Sequence, residues 1–314
     1  MVQIPQARVF EVAGDDDSCP VDDWERHNAS ELIELRCQVQ PDLPFRAREV
    51  NVHLTDVHMA HVLGTAHAVT RDAAIVAERP ANAIAVYAAL RGDALLEYDG
   101  GRRIVRPGQV LVCDVDRPFL RGFGHGLEEL AVKVPRGPFA QITGLATLAA
   151  PLVLDTSTNP YASALVRLVG RAVAGKVPVP AEEQAVLELV SMLATEGRVG
   201  TPIAHRAAAR AFIDDHLADP SLSASDVAAG AGISERHLSR LFADAGTSVP
   251  RHILARRLDL AHSMLKHGTA DRTVDIAARC GFTSMAYFSQ AFKRRYGVTA
   301  GEVRRSTGLD ATEA

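Results

Sequence analysis

Leu222-Ser-Ala-Ser-Asp-Val-Ala-Ala-Gly-Ala-Gly-Ile-Ser-Glu-Arg-His-Leu-Ser-Arg-Leu-Phe242 and Thr273-Val-Asp-Ile-Ala-Ala-Arg-Cys-Gly-Phe-Thr-Ser-Met-Ala-Tyr-Phe-Ser-Gln-Ala-Phe292 are two versions of one pattern. Each opens with a short helical run carrying Val-Ala-Ala or Ile-Ala-Ala and reaches a turn at Gly232 or Gly281. Glycine supplies the backbone freedom that a sharp helix–helix turn needs. A serine then stands ready to cap the next helix, Ser234 in one copy and Ser284 in the other, because its hydroxyl satisfies an orphan helix N–H. The helices that follow place apolar residues at i, i+3 and i+4: Leu238, Leu241 and Phe242, then Phe288, Ala291 and Phe292. The pattern is a tandem helix-turn-helix.

Working outward, Ile203–Leu217 reads as an amphipathic helix with Ala207, Phe212 and Ile213 inward, ended by Asp219-Pro220. Pro250–His267 reads as one helix carrying Ile253, Leu254, Leu258, Ala261 and Leu265. Such a helix spans about 27 Å. That length suits two recognition helices held about one duplex turn apart, near successive major grooves. Charge agrees with this reading. Residues 201–306 hold 15 Lys/Arg against 10 Asp/Glu, a balance of +5, whereas 1–200 hold 19 against 26, a balance of −7. The overall charge of −4 hides this contrast, and the contrast points to different partners for the two halves.

The first half is expected to be β-rich. Segments Val50–Leu54, Met59–Leu63 and Ala66–Val69 alternate in polarity, and Ala83–Phe123 is a series of short strands and turns. Ala83–Leu90, Ala94–Tyr98, Arg102–Val105, Gln109–Asp114 and Leu127–Val134 are the expected strands, with Asp99-Gly100-Gly101 and Pro107-Gly108 among the turns. Short strands with frequent turns indicate a jelly-roll or barrel. Residues 1–22 are acidic and aperiodic and are expected to be a loose lead-in; Trp24 to about Cys37 allows a helix. Tyr161–Ala174 and Ala181–Thr195 have helical apolar stripes that fit either packing on the barrel or a dimer seam. The expected organisation is therefore a lead-in over 1–22, a sensor-like domain over 23–158 and a helical pair over 159–196. A linker over 197–202, a tandem helix-turn-helix domain over 203–306 and a tail over 307–314 complete it.

With 47% apolar and 23% charged residues, the composition is that of a soluble globular protein. The four cysteines, Cys19, Cys37, Cys113 and Cys280, form no Cys-x-x-Cys pair, which points to a reducing cytoplasm rather than a disulfide frame or zinc site. Cys280 is expected to be a small core residue. The start of the chain lacks a signal-peptide pattern, and the weakly polar run Ile142–Leu154 is too short to span a bilayer. There is no nucleophile–base motif and no phosphate-binding glycine loop to suggest an enzyme.

The C-terminal third resembles the DNA-binding domain of the AraC/XylS family of transcription regulators. The residues that carry the resemblance are Ile276-Ala277, Gly281-Phe282, Tyr287-Phe288-Ser289, the run Phe292-Lys293-Arg294-Arg295-Tyr296-Gly297-Val298, and Arg304, with Arg257, Ala261 and Leu265 on the connecting helix. Ala300 departs from the pattern, since the family usually has proline there. The first half more loosely resembles the cupin-like sensor domains of the same family, through Arg79-Pro80-Ala81-Asn82, its Gly-rich hairpin and its Pro-Gly turn. The resemblance implies a sequence-specific, one-component regulator that binds promoter DNA as a homodimer under control of a small effector. RNA polymerase is a further partner consistent with it, and no cofactor is implied.

On the first recognition helix the outward set includes Arg236, Ser239 and Arg240, and an arginine can pair with guanine O6 and N7. On the second it is Met285, Ala286, Ser289 and Gln290. Gln290 suits adenine, and Met285 suits a thymine methyl. Ser234, Ser284, Lys293, Arg294 and Arg295 suit phosphate contacts, which add affinity and salt dependence with little sequence information. In the sensor half, Trp24, Phe45, His53, His61 and His67 are the candidates for an effector pocket. No His-x-His occurs, so no metal site of the cupin type is expected.

Overall fold

The structure is a computed structural model that describes residues 7–13, 20–40, 43–173, 180–196, 200–267 and 271–306. Cys19, the linker core at 197–199 and the tail at 307–314 lie outside the described residues. The described residues divide into two compact units, one of residues 7–173 with 186–196 and one of 180–185 with 200–306.

The first unit runs, in chain order, through β1 (Arg8–Ala13), α1 (Pro20–Glu31), β2 (Arg36–Gln38), β3 (Arg46–His53), β4 (His58–Gly64), β5 (His67–Arg71), α2 (Ala73–Glu78), β6 (Ala83–Arg91), β7 (Ala94–Tyr98), β8 (Gly101–Val105), β9 (Gln109–Asp114), β10 (Phe119–Phe123), β11 (Leu127–Pro135), α3 (Arg136–Thr143), β12 (Leu152–Asp155) and α4 (Pro160–Val173). Its strands form two antiparallel sheets, ordered β1-β3-β4-β11-β6-β9-β12 and β2-β5-β10-β7-β8. Alternate residues of β6 (Ala83, Ala85, Tyr87, Ala89) share one core with Val69, Leu96, Phe119 and Phe123 of the second sheet. This is a cupin-like jelly-roll architecture. Period-two patterning sets the inner face.

The intervening residues Ile84, Val86 and Ala88 are buried too, on the opposite face of β6. On that outer side α4 packs on β3, β4 and β11 and α3 packs on β11 and β6. α5 (Glu183–Ala194) is buried along most of its length, Val186, Leu189, Val190 and Leu193 included. The apolar faces of α4 and α5 are thus already covered within one chain. The lead-in expectation needs correcting: Arg8–Ala13 is the edge strand β1, paired in register with β3, and Phe10 and Val12 pack on the core. The helix expected from Trp24 starts earlier, at Pro20, and ends at Glu31.

The second unit comprises α6 (Thr201–Asp215), α7 (Ala224–Gly230), α8 (Glu235–Asp244), α9 (Val249–Lys266), α10 (Thr273–Arg279), α11 (Met285–Tyr296) and α12 (Ala300–Ser306). The Ser223 hydroxyl and Asp226 carboxylate form a reciprocal capping box on α7. Ser234 and Ser284 cap α8 and α11 through His237 N and Tyr287 N, both at 3.3 Å. Two cores result. Val249 and Ile253 of α9 join Leu238 and Phe242 in one; Leu258, Ala261 and Leu265 join Phe288 and Phe292 in the other. Cys280 is fully buried in the second core. At Ala300, where a proline would preset the helix start, Thr299 and Glu302 build the cap instead: Thr299 N donates to Glu302 Oε2 at 2.6 Å and Glu302 N to Thr299 Oγ1 at 3.2 Å.

Gly232 and Gly281 have left-handed φ of 68° and 79°, but their surroundings differ. A Cβ on Gly232 would meet nothing within 4 Å, whereas one on Gly281 would lie 2.9 Å from the Leu217 carbonyl oxygen and 2.8 Å from Arg257 Nε. Gly232→Ala is therefore expected to cost about 1–2 kcal/mol from backbone conformation alone. Gly281→Ala should cost visibly more, because the turn must also move off Leu217. Chemical denaturation of the two variants side by side measures the difference.

Candidate nucleic-acid interface and effector cavity

On α8 the buried stripe is Leu238, Leu241 and Phe242, each 2% exposed or less. The helical period then turns Arg236, Ser239 and Arg240 to solvent, and all three are exposed. His237 is half-buried beside them. Its Nδ1 lies 2.9 Å from Arg240 Nη2 and its Nε2 lies 3.2 Å from Nδ1 of His205 on α6. On α11 Met285, Ala286, Ser289 and Gln290 are exposed opposite Phe288, Ala291 and Phe292. Tyr287, half exposed, stands on the same open side. Sequence reading passed over it because aromatic residues in a helix-turn-helix are usually assigned to the core.

The basic run at the end of α11 divides. Lys293 and Arg294 face solvent. Arg295 does not stand with them: it grips Asp259 of α9 through Nη2 at 2.7 and 3.0 Å and Nε at 2.9 Å, while the Tyr296 hydroxyl donates to the same carboxylate at 2.6 Å. Its fork is occupied within the fold. Arg257, part of the family resemblance, is likewise internal, donating to the carbonyls of Leu217 at 3.0 Å and Asp219 at 2.5 Å.

In the jelly-roll unit the space between the sheets is a cavity of about 40 Å³ lined by Trp24, Asn28, His67, Tyr87, Phe123 and the ion pair Arg121–Glu129, among others. Arg121 on β10 and Glu129 on β11 are both buried and joined by two bonds of 2.9 and 2.7 Å. The guanidinium lies 4.1 Å from the Tyr87 ring centre and 4.9 Å from that of Phe123. Its Nε has no hydrogen-bond partner. His67 donates from Nδ1 to Thr65 O at 2.7 Å. Burial holds its pKa below the ordinary value, so the ring is neutral and Nε2 is left as an acceptor.

Of the five pocket candidates, Trp24 and His67 line this cavity. Phe45 packs edge-on against both. The other two lie elsewhere. The β3–β4 register sets His61 opposite Val50 and His53 opposite His58. Because alternate strand residues face opposite ways, His61 is on the outer face, 3.1 Å from Glu128. His53 sits at the open end of the sheet, 2.5 Å from Glu31. Arg121 and Glu129 were not anticipated, since a charged residue in a strand reads as outward until its partner is known; Tyr87 was not anticipated either.

Glu31, His53 and His58 bring three metal-ligand side chains within 4.8 Å of one another. The search for His-x-His missed them because the two histidines meet across a hairpin and not along one strand. His58 Nδ1 donates to Glu31 O at 2.5 Å, and the Asn51 side-chain amide lies 2.8 Å from its Nε2. The Lys133 ammonium donates to Leu32 O at 2.6 Å beside them. The group fastens the end of α1 to the sheet. Burial, aided by His53 and Lys133, pushes the His58 pKa down to about 3.

A jelly-roll unit and a tandem helix-turn-helix unit in one chain define a DNA-binding regulator. The helix-turn-helix domain family matches residues 227–306 and the AraC-binding-like domain family matches residues 24–219. The chain belongs to the AraC/XylS family of DNA-binding transcription regulators. It is 37% identical over 106 residues to the transcriptional activator RhrA of Rhizobium meliloti (strain 1021), covering 33% of this chain and 34% of that protein. It is 26% identical over 302 residues to the transcriptional activator NphR of a Rhodococcus species, covering 88% of each. The crystal structure of the AraC-like transcriptional activator CuxR aligns with a TM-score of 0.49 at 18% identity, over 86% of this chain and all of that one. The match to RhrA thus spans about a third of its length, whereas that to NphR spans most of it. Among the described residues no helix is long and apolar enough to cross a membrane.

The depressed His58 pKa has a defined consequence. In the unfolded chain a histidine takes up its proton below about pH 6.5, but folded His58 stays neutral down to about 3. Its contribution to stability is therefore complete above pH 6.5 and is lost as pH falls, at up to about 1.4 kcal/mol per pH unit. Trp24, the only tryptophan and a residue of the jelly-roll core, reports this unit selectively. Denaturation followed by its fluorescence should show a flatter dependence between pH 6.5 and 4 in His58→Gln than in the parent chain.

Proposed function

We propose that the chain reads an asymmetric promoter site with α8 and α11 in successive major grooves, as a homodimer whose occupancy is set by a small molecule bound in the jelly-roll cavity. The supporting observation is that each recognition helix buries one stripe and turns its other face, free of neighbouring elements, to solvent. α8 offers two arginines for guanine readout. α11 offers Met285, Tyr287, Ser289 and Gln290, a face built more for apolar contact, with Lys293 and Arg294 placed for phosphates. Ser234 and Ser284 sit at the helix N-termini, where backbone donors also meet phosphate. RNA polymerase is the further partner through which bound protein would alter transcription.

The effector side rests on the buried Arg121–Glu129 pair, its open Nε and the surrounding aromatic rings. Such a wall suits a small, planar molecule with a hydrogen-bond acceptor. At about 40 Å³ the cavity has room for a few waters, far below the roughly 150 Å³ that accommodates benzene. Binding therefore requires α1 to lift from Lys133, His53 and His58. A ligand that favours the lifted state shifts the population by its differential affinity for the two states. The small volume also supports a second reading, in which the jelly-roll stays closed and DNA occupancy is independent of any effector. Thermal shifts of the Trp24 transition across aromatic acids, amines and sugars separate the two, a complete set of nulls selecting the second.

A duplex selected from a randomised pool supplies the operator, and absence of any preferred sequence would sink the specific-regulator reading. On that duplex, Lys293→Ala and Arg294→Ala should each reduce the slope of log affinity against log salt by about one. Arg295→Ala should leave the slope unchanged and instead lower stability by about 1–3 kcal/mol, the worth of its hydrogen bonds to a carboxylate.

A further inference from the structure

The side chain of His237 lies between Arg240, on its own helix, and His205 on α6, and the donor inventory fixes which protons lie where. A guanidinium only donates, so Arg240 Nη2 at 2.9 Å requires His237 Nδ1 to be the acceptor. A neutral His237 then carries its proton on Nε2. That nitrogen donates to His205 Nδ1 at 3.2 Å, which in turn puts the His205 proton on Nε2. The two rings meet edge to face, 5.2 Å between centres and 89° between planes. One tautomer of each ring satisfies every contact.

We propose that His237 and His205 form a positioning relay that holds the Arg240 guanidinium in the orientation from which α8 reads a guanine, a reading that rests on α8 entering the major groove. Arg240 is exposed, and a free arginine there would sample many rotamers. The bond to His237 takes one of its five N–H donors and leaves four, more than the two that guanine O6 and N7 need. His205 acts one step back, keeping Nδ1 of His237 free of a proton. A hydrogen-bonded outer partner fixes the tautomer and the direction of a working side chain in the same way at other protein sites.

The contact depends on Nδ1 of His237 carrying no proton, since a guanidinium can only donate to it. The charged and titratable groups around it are few. Arg236, Glu235 and Asp244 are exposed on α8, and Arg206 follows His205 on α6. α7 contributes Asp226, bound to Ser223 at its far end. α9 contributes His252 and Arg256 on the buried side, His252 against Phe242 and Arg256 paired with Asp214. Apart from Arg240 and His205, none of these groups has a contact with the His237 ring among the hydrogen bonds and ring contacts of the described residues.

The test uses the full chain and a duplex it selects from a randomised pool, together with duplexes altered one base pair at a time. The base read by Arg240 is the position whose mismatch penalty disappears in Arg240→Ala. A good bidentate contact makes that penalty about 5- to 150-fold. His237→Ala is expected to cut it at least threefold at that position only, with affinity for unrelated DNA and thermal stability unchanged. His237→Asn, whose side-chain oxygen falls near the site of Nδ1, should restore it, and His205→Ala should weaken it less than His237→Ala. A parent-like penalty in His237→Ala, with Arg240→Ala still abolishing it, overturns the relay and leaves base reading by α8 intact. If Arg240→Ala changes no position's penalty, base reading and relay fall together.

Discussion

Three near-consecutive residues of α9 hold the DNA-binding unit together. Arg256 pairs with Asp214 of α6 at 2.8 Å, and both side chains are about 6% exposed. Arg257 bonds the carbonyls of Leu217 and Asp219 that follow α6, and its guanidinium lies against the Gly281 turn of the second copy. Asp259 takes Arg295 and Tyr296 of α11. Around these bonds one part of α9 completes the core of the first copy and another part that of the second. A buried ion pair contributes little net stability, but breaking one strands a charge. Such pairs therefore act as register pins more than as glue, and here each pin settles where a recognition helix begins or lies.

The jelly-roll unit uses the same economy of buried charge. Arg71, with no exposed surface, binds the carbonyls of Val115, Glu34 and Arg79, each at 2.7 Å, drawing three connecting segments together. Arg136 clamps Asp114 and Asp116 at 2.7 and 3.0 Å. Arg121 and Glu129 do the corresponding work inside the cavity. Glu49 differs: it is fully buried, its oxygens have no hydrogen-bond partner, and His27 Nε2 on α1 lies 3.4 Å from one of them. An unsatisfied buried carboxylate is costly. It leaves a buried polar group unsatisfied at the seat of α1, the element whose lifting the proposed ligand entry requires.

What the sequence disclosed follows from this distribution of charge. The tandem helix-turn-helix was legible nearly to the residue because capping serines, turn glycines and apolar spacing are local signals; α11 begins and ends where its pattern predicts. Strands with alternating apolar residues and glycine turns were legible also, from β6 to β9. Those that were missed carry inward charge or sit at edges. β10, Phe-Leu-Arg-Gly-Phe, conceals its inward face because Arg121 is buried against a residue eight positions away. β1 shows four of its six side chains to solvent, and β2 and β12 are three and four residues long. Periodicity assigns charged residues outward by default, and only the partner reveals otherwise. The same rule hid Arg121 and Glu129 from the pocket candidates and gave no sign that Arg295 is held by Asp259.

The two helix-turn-helix copies therefore diverge in more than their surface residues. Their turn glycines, the serine caps of α8 and α11 and their apolar stripes correspond. They differ in what holds the long polar side chains. In the first copy an exposed arginine meets an imidazole nitrogen, a partner that takes one of its donors and leaves most of them free. In the second the corresponding strong contact is drawn inward, where a carboxylate takes Arg295 along its Nε–Nη2 edge through both oxygens. A guanidinium bound to a neutral acceptor can still meet a base edge; one locked bidentately to a carboxylate cannot without breaking the fold. On the proposed reading, partner chemistry, more than the count of basic residues, divides the labour between the copies, with hydrogen-bond readout assigned to α8 and anchoring to α11.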